Sequence, residues 1–319
     1  MAERDGSWRA SGTARQVEVA RTARGYYVWA APQRVEPLET VRLLVTSDLH
    51  YGMSRDDDRS TEALAERVCS EPADVLLIAG DIASGPVALG RCLALFESFA
   101  GPKLAVPGNH DIWVGQGSPA DSWQMHEELI PALLTEFGFH PLHLRSKIVG
   151  TVGFVGTMGW YDYSFRDDLG IDVGHYEAKV FPGMAEPLWS DARHVKLPMT
   201  DVELTQLLTE RLVTQLAEVA KTDHIVALVH HVVTKRLLFH PRILVPRIWR
   251  FLNAFLGSEQ LGAALSGSHK VTQVFCGHIH RARSLRHNGG TWSTIGSDYG
   301  SKELIHATPL EIIKRETVG

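Results

Sequence analysis

Leu104-Ala105-Val106-Pro107-Gly108-Asn109-His110-Asp111 joins a short apolar run to a turn loaded with metal-binding side chains. The apolar part has no polar position for a solvated face, so it reads as a buried strand. Gly108-Asn109 is a turn signal. The turn then delivers an amide, an imidazole and a carboxylate within three residues. The same join recurs along the chain. Asp48-Leu49-His50 follows the run Val41 to Val45, and Gly80-Asp81 follows Val75 to Ala79. His230-His231 closes Ile225 to Val229, and Gly277-His278-Ile279-His280 closes Val271 to Cys276. Five such joins put oxygen and imidazole ligands on loops at one edge of a sheet, a cluster able to hold two divalent metals for hydrolysis.

Between these strands the pattern turns helical. Spacing predicts helices over 60–69, 86–99, 118–137 and 200–221, with the acidic run Asp56-Asp57-Asp58 as a solvated loop before the first. Thr200 and Glu203 make a capping box for the last helix. Residues 148–158 read as strands around Gly150, Gly153 and Gly156, and the C-terminus is strand-rich. Strands separated by helices imply a sheet covered on its outer face. The strand-rich second half implies a second sheet stacked on the first. Residues 1–38 form an N-terminal extension, a loose tail or an edge hairpin from 16–19 and 26–29. Residues 39–319 form a single domain with inserts at about 159–198 and 235–266.

Composition limits the function. Hydrophobic residues at 44% and charged residues at 22% suit a soluble globular enzyme. A formal net charge of -5 argues against a nucleic-acid groove and so against a nuclease. Cys69, Cys92 and Cys276 show no metal spacing and no even pairing, which points to a reducing cytoplasm. The polar N-terminus lacks a signal core, and no apolar run reaches transmembrane length.

The ligand chemistry follows from spacing. Asp48 and His50, two apart, can both turn towards one ion. Asp81 can bridge two ions through its two oxygens. Asn109 offers a neutral carbonyl oxygen, and His230 an imidazole from another strand. His278 and His280 can each face a different ion. Two metals roughly 3.5–4 Å apart acidify a bridging water, whose hydroxide attacks phosphorus in line with the leaving oxygen. His110 stands beside the metals, placed to donate a proton to the leaving alkoxide. Asp111 is the expected orienter of His110 and would raise its pKa.

Asp-Leu-His, Gly-Asp, Gly-Asn-His-Asp, His-His and Gly-His-Ile-His in this order resemble the calcineurin-like metallophosphoesterase superfamily, over Val41 to about Leu285. The resemblance implies an α/β fold, a four-layer αββα sandwich with a dinuclear centre at the strand ends. It assigns Asp48, His50, Asp81 and His280 to one metal, and Asp81, Asn109, His230 and His278 to the other. It matches His110 to a histidine near the leaving group. Val232-Val233 stands where many relatives carry proline, which leaves His231 as an alternative to the preferred His230. Manganese, iron and zinc all suit these ligands. The implied activity is phosphodiesterase or phosphomonoesterase on a small molecule. The competing reading is a non-catalytic scaffold of the same fold that binds protein partners, against which all the ligand positions are filled.

Two segments bear on the substrate. Trp160 and Tyr161, in an aromatic run after a strand, either stack on a nucleobase or sugar or pack over the sandwich edge. Residues 235–256 are both apolar and basic, with Arg247 among the cations. They read as a cap accepting an acyl or prenyl chain while arginines hold phosphate, or else as a homodimer interface or core helix. His126, His140, His143, His175 and His194 lie outside any motif. Of these, His194 alone could approach the site, from the first insert. Cys276 reads as a small core residue rather than a nucleophile.

Overall fold

Alternating runs become strands, and uninterrupted apolar runs become strands buried on both faces; the chain contains both. The computed structural model describes residues 17–22, 25–30, 41–115, 118, 120–238 and 245–319. Residues 1–40 and 41–319 are separate compact units. In the first, β1 (Val17–Thr22) and β2 (Gly25–Ala30) pair antiparallel, with Val17 opposite Ala30, as their alternation suggests. The first dozen residues, read as a tail, lie outside the described residues.

The second unit holds two mixed six-stranded sheets. Its strands are β3 (Leu43–Thr46), β4 (Val75–Ala79), β5 (Lys103–Val106), β6 (Phe139–Pro141), β7 (Lys147–Val149) and β8 (Val152–Thr157). They continue with β9 (His224–Val229), β10 (Val271–Cys276), β11 (Arg283–His287), β12 (Gly290–Thr294), β13 (Lys302–Ala307) and β14 (Ile312–Val318). One sheet runs β14-β13-β3-β4-β5-β6 and the other β11-β12-β10-β9-β8-β7. The helices are α1 (Arg55–Ser70), α2 (Pro86–Ala94), α3 (Ser122–Gln124), α4 (Ile130–Glu136), α5 (Val173–Glu177), α6 (Asp191–His194), α7 (Asp201–Glu218), α8 (Arg247–Leu252) and α9 (Glu259–Ser266).

Side-chain alternation explains the layers. Leu43, Val45, Leu77 and Leu104 of one sheet meet Phe154, Val226, Leu228 and Phe275 of the other in the middle layer. Leu44, Leu76, Ile78 and Ala105 point the opposite way, into a core with Leu64, Leu89 and Leu134 of α1, α2 and α4. Ala227, Val229 and Val274 do the same with Leu212 of α7 and Leu261 of α9. Each central strand is covered on both faces, which is why its sequence shows no polar alternation. This is the αββα sandwich. Cys276 lies in the last of these cores, where burial pushes its thiol up to about 12 and leaves it inert.

Three local readings need correction. Asp56-Asp57-Asp58 is not a loop but the first turn of α1, capped by the Ser54 hydroxyl. Acidic side chains suit the positive end of a helix, and Asp57 is buried against Lys302 at 2.9 Å. The helix expected over 118–137 starts at Ser122 and widens into a π turn at Met125–Leu129. Pro131, which has no N–H to donate, breaks the regular ladder there. The helix expected to reach 99 ends at Ala94, and the chain goes on in tighter turns, such as Leu95 N–H to Cys92 O at 3.1 Å. Thr200 and Glu203 do form their capping box at the start of α7. Among the described residues no helix is long and apolar enough to cross a membrane.

Candidate metal centre

β3, β4 and β5 run parallel in one sheet, and β8, β9 and β10 run parallel in the other. The C-terminal ends of β3, β4, β5, β9 and β10 converge, so the five joins legible in the sequence meet at one place. Crossing hydrogen bonds tie the two sheets there. His230 Nδ1 donates to the Ala79 carbonyl at 2.9 Å, and the His278 N–H donates to Asp48 Oδ1 at 2.9 Å. Within the first sheet, past the ends of β3 and β4, the Asp48 N–H reaches the Gly80 carbonyl at 2.9 Å.

The turns are tight enough to force unusual backbone. Asp48, His50, Asp81, His278 and His280 all have positive φ, between 48° and 73°. That region is sparsely used by residues with a Cβ and costs about 1–3 kcal/mol each. Gly108 explains its own place in the motif: a Cβ there would lie 2.1 Å from Asp81 Oδ1. Gly80 is similar, with a Cβ falling 2.5 Å from His230 Nδ1. Only glycine lets these strands bring their ligands so close.

Besides a group of His50, Asp81 and His110, two ligand groups match the sequence reading. Asp48, His50 and His280 form one, and Asp81, His230 and His278 the other, with the ligand atoms of each within 4.8 Å of one another. Asn109 joins the second, its Oδ1 3.0 Å from His230 Nε2 and 3.1 Å from His278 Nδ1. Asp81 lies between the groups, with Oδ1 3.4 Å from His230 Nε2 and Oδ2 3.8 Å from His50 Nε2.

The hydrogen bonds behind these atoms test whether a metal fits. His230 Nδ1 carries its proton towards Ala79 O, so the neutral ring turns the lone pair of Nε2 inward. Asn109 Nδ2 donates to Asp191 Oδ1 at 2.9 Å, so Oδ1 also faces inward. Lone pair therefore confronts lone pair at 3.0 Å, an arrangement that a cation between them satisfies. His280 behaves alike, with Nδ1 against Asp298 Oδ1 at 3.2 Å and Nε2 turned towards Asp48 and His50. Burial holds the His50 imidazole down at about 4 and that of His278 well below its usual range. Burial would favour a neutral Asp81, but the neighbouring His230 and His110 outweigh it and hold the carboxyl well below the usual carboxylate range. Neutral imidazoles and ionised carboxylates are the protonation states that metal ligation needs. His230 is pulled the other way: burial lowers it, yet Asp81 raises it to about 9. Without metal, a proton on His230 would relieve the same clash. The donor set fits two divalent ions.

His231, the alternative ligand, turns away from the cluster. Its Nδ1 lies 3.3 Å from the Met158 carbonyl, and its ring packs against that of His278. His110 stands beside the ligands, its Nε2 4.0 Å from Asp81 Oδ2. Asp111 does not orient it, which corrects the sequence expectation. The Asp111 carboxylate is buried and accepts the backbone N–H groups of Ile82, Ala83 and Gly108, fastening two motif turns together. What His110 does touch is Trp113, stacked at 3.7 Å between centroids. His194 of the first insert stacks on Trp113 in turn at 4.5 Å, so it approaches the site indirectly.

The substrate candidates fare less well. Trp160 and Tyr161 are fully buried, with Trp160 Nε1 donating to Asp201 and the Tyr161 hydroxyl to Asp191. They pack the base of the first insert and cannot stack on a ligand over the cluster. Arg247 is exposed and donates to the Leu169 carbonyl at 2.8 Å. The second insert packs Phe251 and Phe255 against Tyr176 and Trp189 of the first. Residues 239–244 of that insert, including Phe239, Arg242, Ile243 and Leu244, lie outside the described residues. Asp191, Trp113, Trp189, Asp298 and Tyr299 were missed from sequence. Tyr299 stacks on His50 and His280, yet it has no motif around it.

A cavity of about 450 Å³ lies over the cluster, bordered by Asn109, His110, His278, His280 and Tyr299. A second, of about 500 Å³, shares His278 with it and is lined by Leu238, Trp249, Arg250, Leu256 and Arg281. A third, of about 330 Å³, shares His110 and Trp113 and is lined by Met53, Ser84 and His194.

A sequence model of the calcineurin-like phosphoesterase family matches residues 41–282. Among solved structures, the phosphopantetheinyl hydrolase of Mycobacterium tuberculosis is similar, with 19% identity and a TM-score of 0.59 over 81% of this chain and 90% of that one. A dimetal phosphatase from Danio rerio is similar too, with 13% identity and a TM-score of 0.51 over 88% of this chain and 98% of that one. At such identities these two likenesses speak for the fold. No curated protein sequence matches the chain.

Proposed function

The chain belongs to the calcineurin-like phosphoesterase family and is a phosphoric ester hydrolase, and from that premise we propose that it is a phosphodiesterase served by two divalent ions. One observation carries the reading: the cavity over the cluster has two neighbours, one of about 500 Å³ that shares His278 with it and one of about 330 Å³ that shares His110. A phosphorus held at the cluster then has room for an ester arm in each direction. A monoester would use only one.

Asp48, His50, Asp81 and His280 hold one ion, and Asp81, Asn109, His230 and His278 the other. Bound there, the ions supply Lewis acidity to the phosphoryl oxygens and an acidified water as nucleophile. The remaining work falls to the chain. His110 borders both the central cavity and the smaller one, so the alcohol leaving on that side takes its proton from His110. The arm retained on the phosphate lies in the larger cavity. Leu238, Leu256 and Trp249 offer it apolar surface, and Arg250 in the same lining is already paired with Asp167 at 3.1 Å. An elongated, mainly uncharged arm fits this lining, and an acyl chain is one such arm. A phosphopantetheinyl group, named in the Mycobacterium tuberculosis relative, is another and a first substrate to assay.

The test is turnover by metal-stripped protein refilled with manganese, iron or zinc, on paired bis- and mono-nitrophenyl phosphates. Metal-dependent preference for the diester is expected. A clear preference for the monoester overturns the phosphodiesterase reading.

A further inference from the structure

Asp191 belongs to none of the sequence motifs, yet it is the most heavily bonded carboxylate near the cluster. It is only 1% exposed. Its Oδ1 accepts from Asn109 Nδ2 at 2.9 Å and Trp113 Nε1 at 2.8 Å. Its Oδ2 accepts from Trp189 Nε1 at 2.7 Å and the Tyr161 hydroxyl at 3.2 Å. Four donors fill the accepting capacity of a carboxylate. Two of them lead to groups that the hydrolysis needs. Asn109 can present Oδ1 to the cluster only while its amide nitrogen is held from behind, and Asp191 holds it. Trp113 supports His110 by stacking, and Asp191 fixes the plane of that indole. α6 reinforces the grip: His194, on the same short helix, also stacks on Trp113, and its carbonyl accepts the Val114 N–H at 2.9 Å.

We infer that Asp191 is a positioning residue through which the first insert sets both the Asn109 ligand of one ion and the orientation of His110. The inference rests on the hydrolase reading above. It differs from a merely structural role, in which Asp191 would only tie the insert to the sandwich and its loss would cost stability alone.

Two variants separate these roles. Asp191→Asn keeps the shape but replaces one accepting oxygen by a donor. Trp113→Phe keeps a six-membered stacking ring and removes the indole N–H together with the pyrrole half of the ring. Manganese binding is measured by titration calorimetry, and turnover on aryl diesters of graded leaving-group ability at saturating manganese. In Asp191→Asn one of the two ions is expected to bind about 10–100-fold more weakly, the other unchanged. At saturating metal its KM should stay within about twofold while kcat falls most for poor leaving groups. Trp113→Phe should leave both ion affinities at wild-type values and steepen the leaving-group dependence. Unchanged ion affinities and an unchanged leaving-group slope in folded Asp191→Asn overturn the inference, whatever happens to its melting temperature. A wild-type chain that binds two ions but hydrolyses no diester overturns the parent reading instead, and the calorimetric arm then decides on Asp191 by itself.

Discussion

At the scale of residues, the division of labour between His110 and its neighbours can be tested directly. His110 Nε2 lies 4.0 Å from Oδ2 of the shared Asp81 carboxylate, and the sequence order assigns it beside the seven candidate ligands rather than among them. Its ring is 18% exposed, as is that of the candidate ligand His280, but His110 borders both the central cavity and the smaller one. A proton donor must meet substrate, and a ligand need not. His110→Ala should therefore retain both ions, with metal content near wild type by elemental analysis. Turnover should fall by about 10²–10⁴-fold for poor leaving groups and far less for nitrophenolate, which leaves without help. Loss of an ion would mean that His110 is itself a ligand. The candidate ligands were legible at this scale because each must follow a strand end at once, and several need glycine just before them. Asp191, Asp298 and Tyr299 were not legible, because a residue that reaches the site through space carries no spacing signal.

At the scale of elements, the joint between α1 and β13 bears on the cluster from behind. Lys302 on β13 is fully buried, and its Nζ donates to Asp57 Oδ1 at 2.9 Å, the Asp48 carbonyl at 3.0 Å and the Asp298 carbonyl at 3.1 Å. One ammonium thus ties helix α1, a candidate ligand's backbone and the loop that steadies His280. The pair was invisible in sequence, where three successive aspartates read as a solvated face and their partner lies far along the chain. Lys302→Met strands Asp57 as an unpaired buried charge and leaves two carbonyls without their donor. It should destabilise the fold by about 3–5 kcal/mol. Adding Asp57→Asn should recover part of that loss, since the stranded charge is gone. Denaturant midpoints of the single and double variants measure both effects. A cost below about 1 kcal/mol for Lys302→Met would mean that water already solvates the pair.

At the scale of the whole molecule, the sandwich could be read in advance because buried parallel strands leave uninterrupted apolar runs, and the order of the motifs fixes which ends converge. The inserts could not, since their aromatic residues serve packing against one another: Trp160 and Tyr161 are sealed, and Phe251 and Phe255 fill the wall between the two inserts. What the sandwich gains from its ions follows from how it is built. The C-terminal edges of two sheets meet over two buried carboxylates, four imidazoles and an amide oxygen, with His230 Nε2 only 3.0 Å from Asn109 Oδ1. The strained turns that carry these groups are held by hydrogen bonds to Asp111 and from His230 and His278, and ions would add to that hold. Each ion that binds this site and not the unfolded chain stabilises the fold by mass action, by about 2.7 kcal/mol at a free concentration one hundred times its Kd. For a unit of this size, that corresponds to a fall in melting temperature of roughly 5 °C for each ion a chelator strips from the protein. The loss should reverse on adding manganese or zinc. His278→Ala, which deletes a ligand of one ion, should show a smaller chelator effect than wild type. An unchanged melting temperature in wild type after complete stripping would mean that hydrogen bonds alone, such as His230 to Ala79 and His278 to Asp48, hold the two edges together.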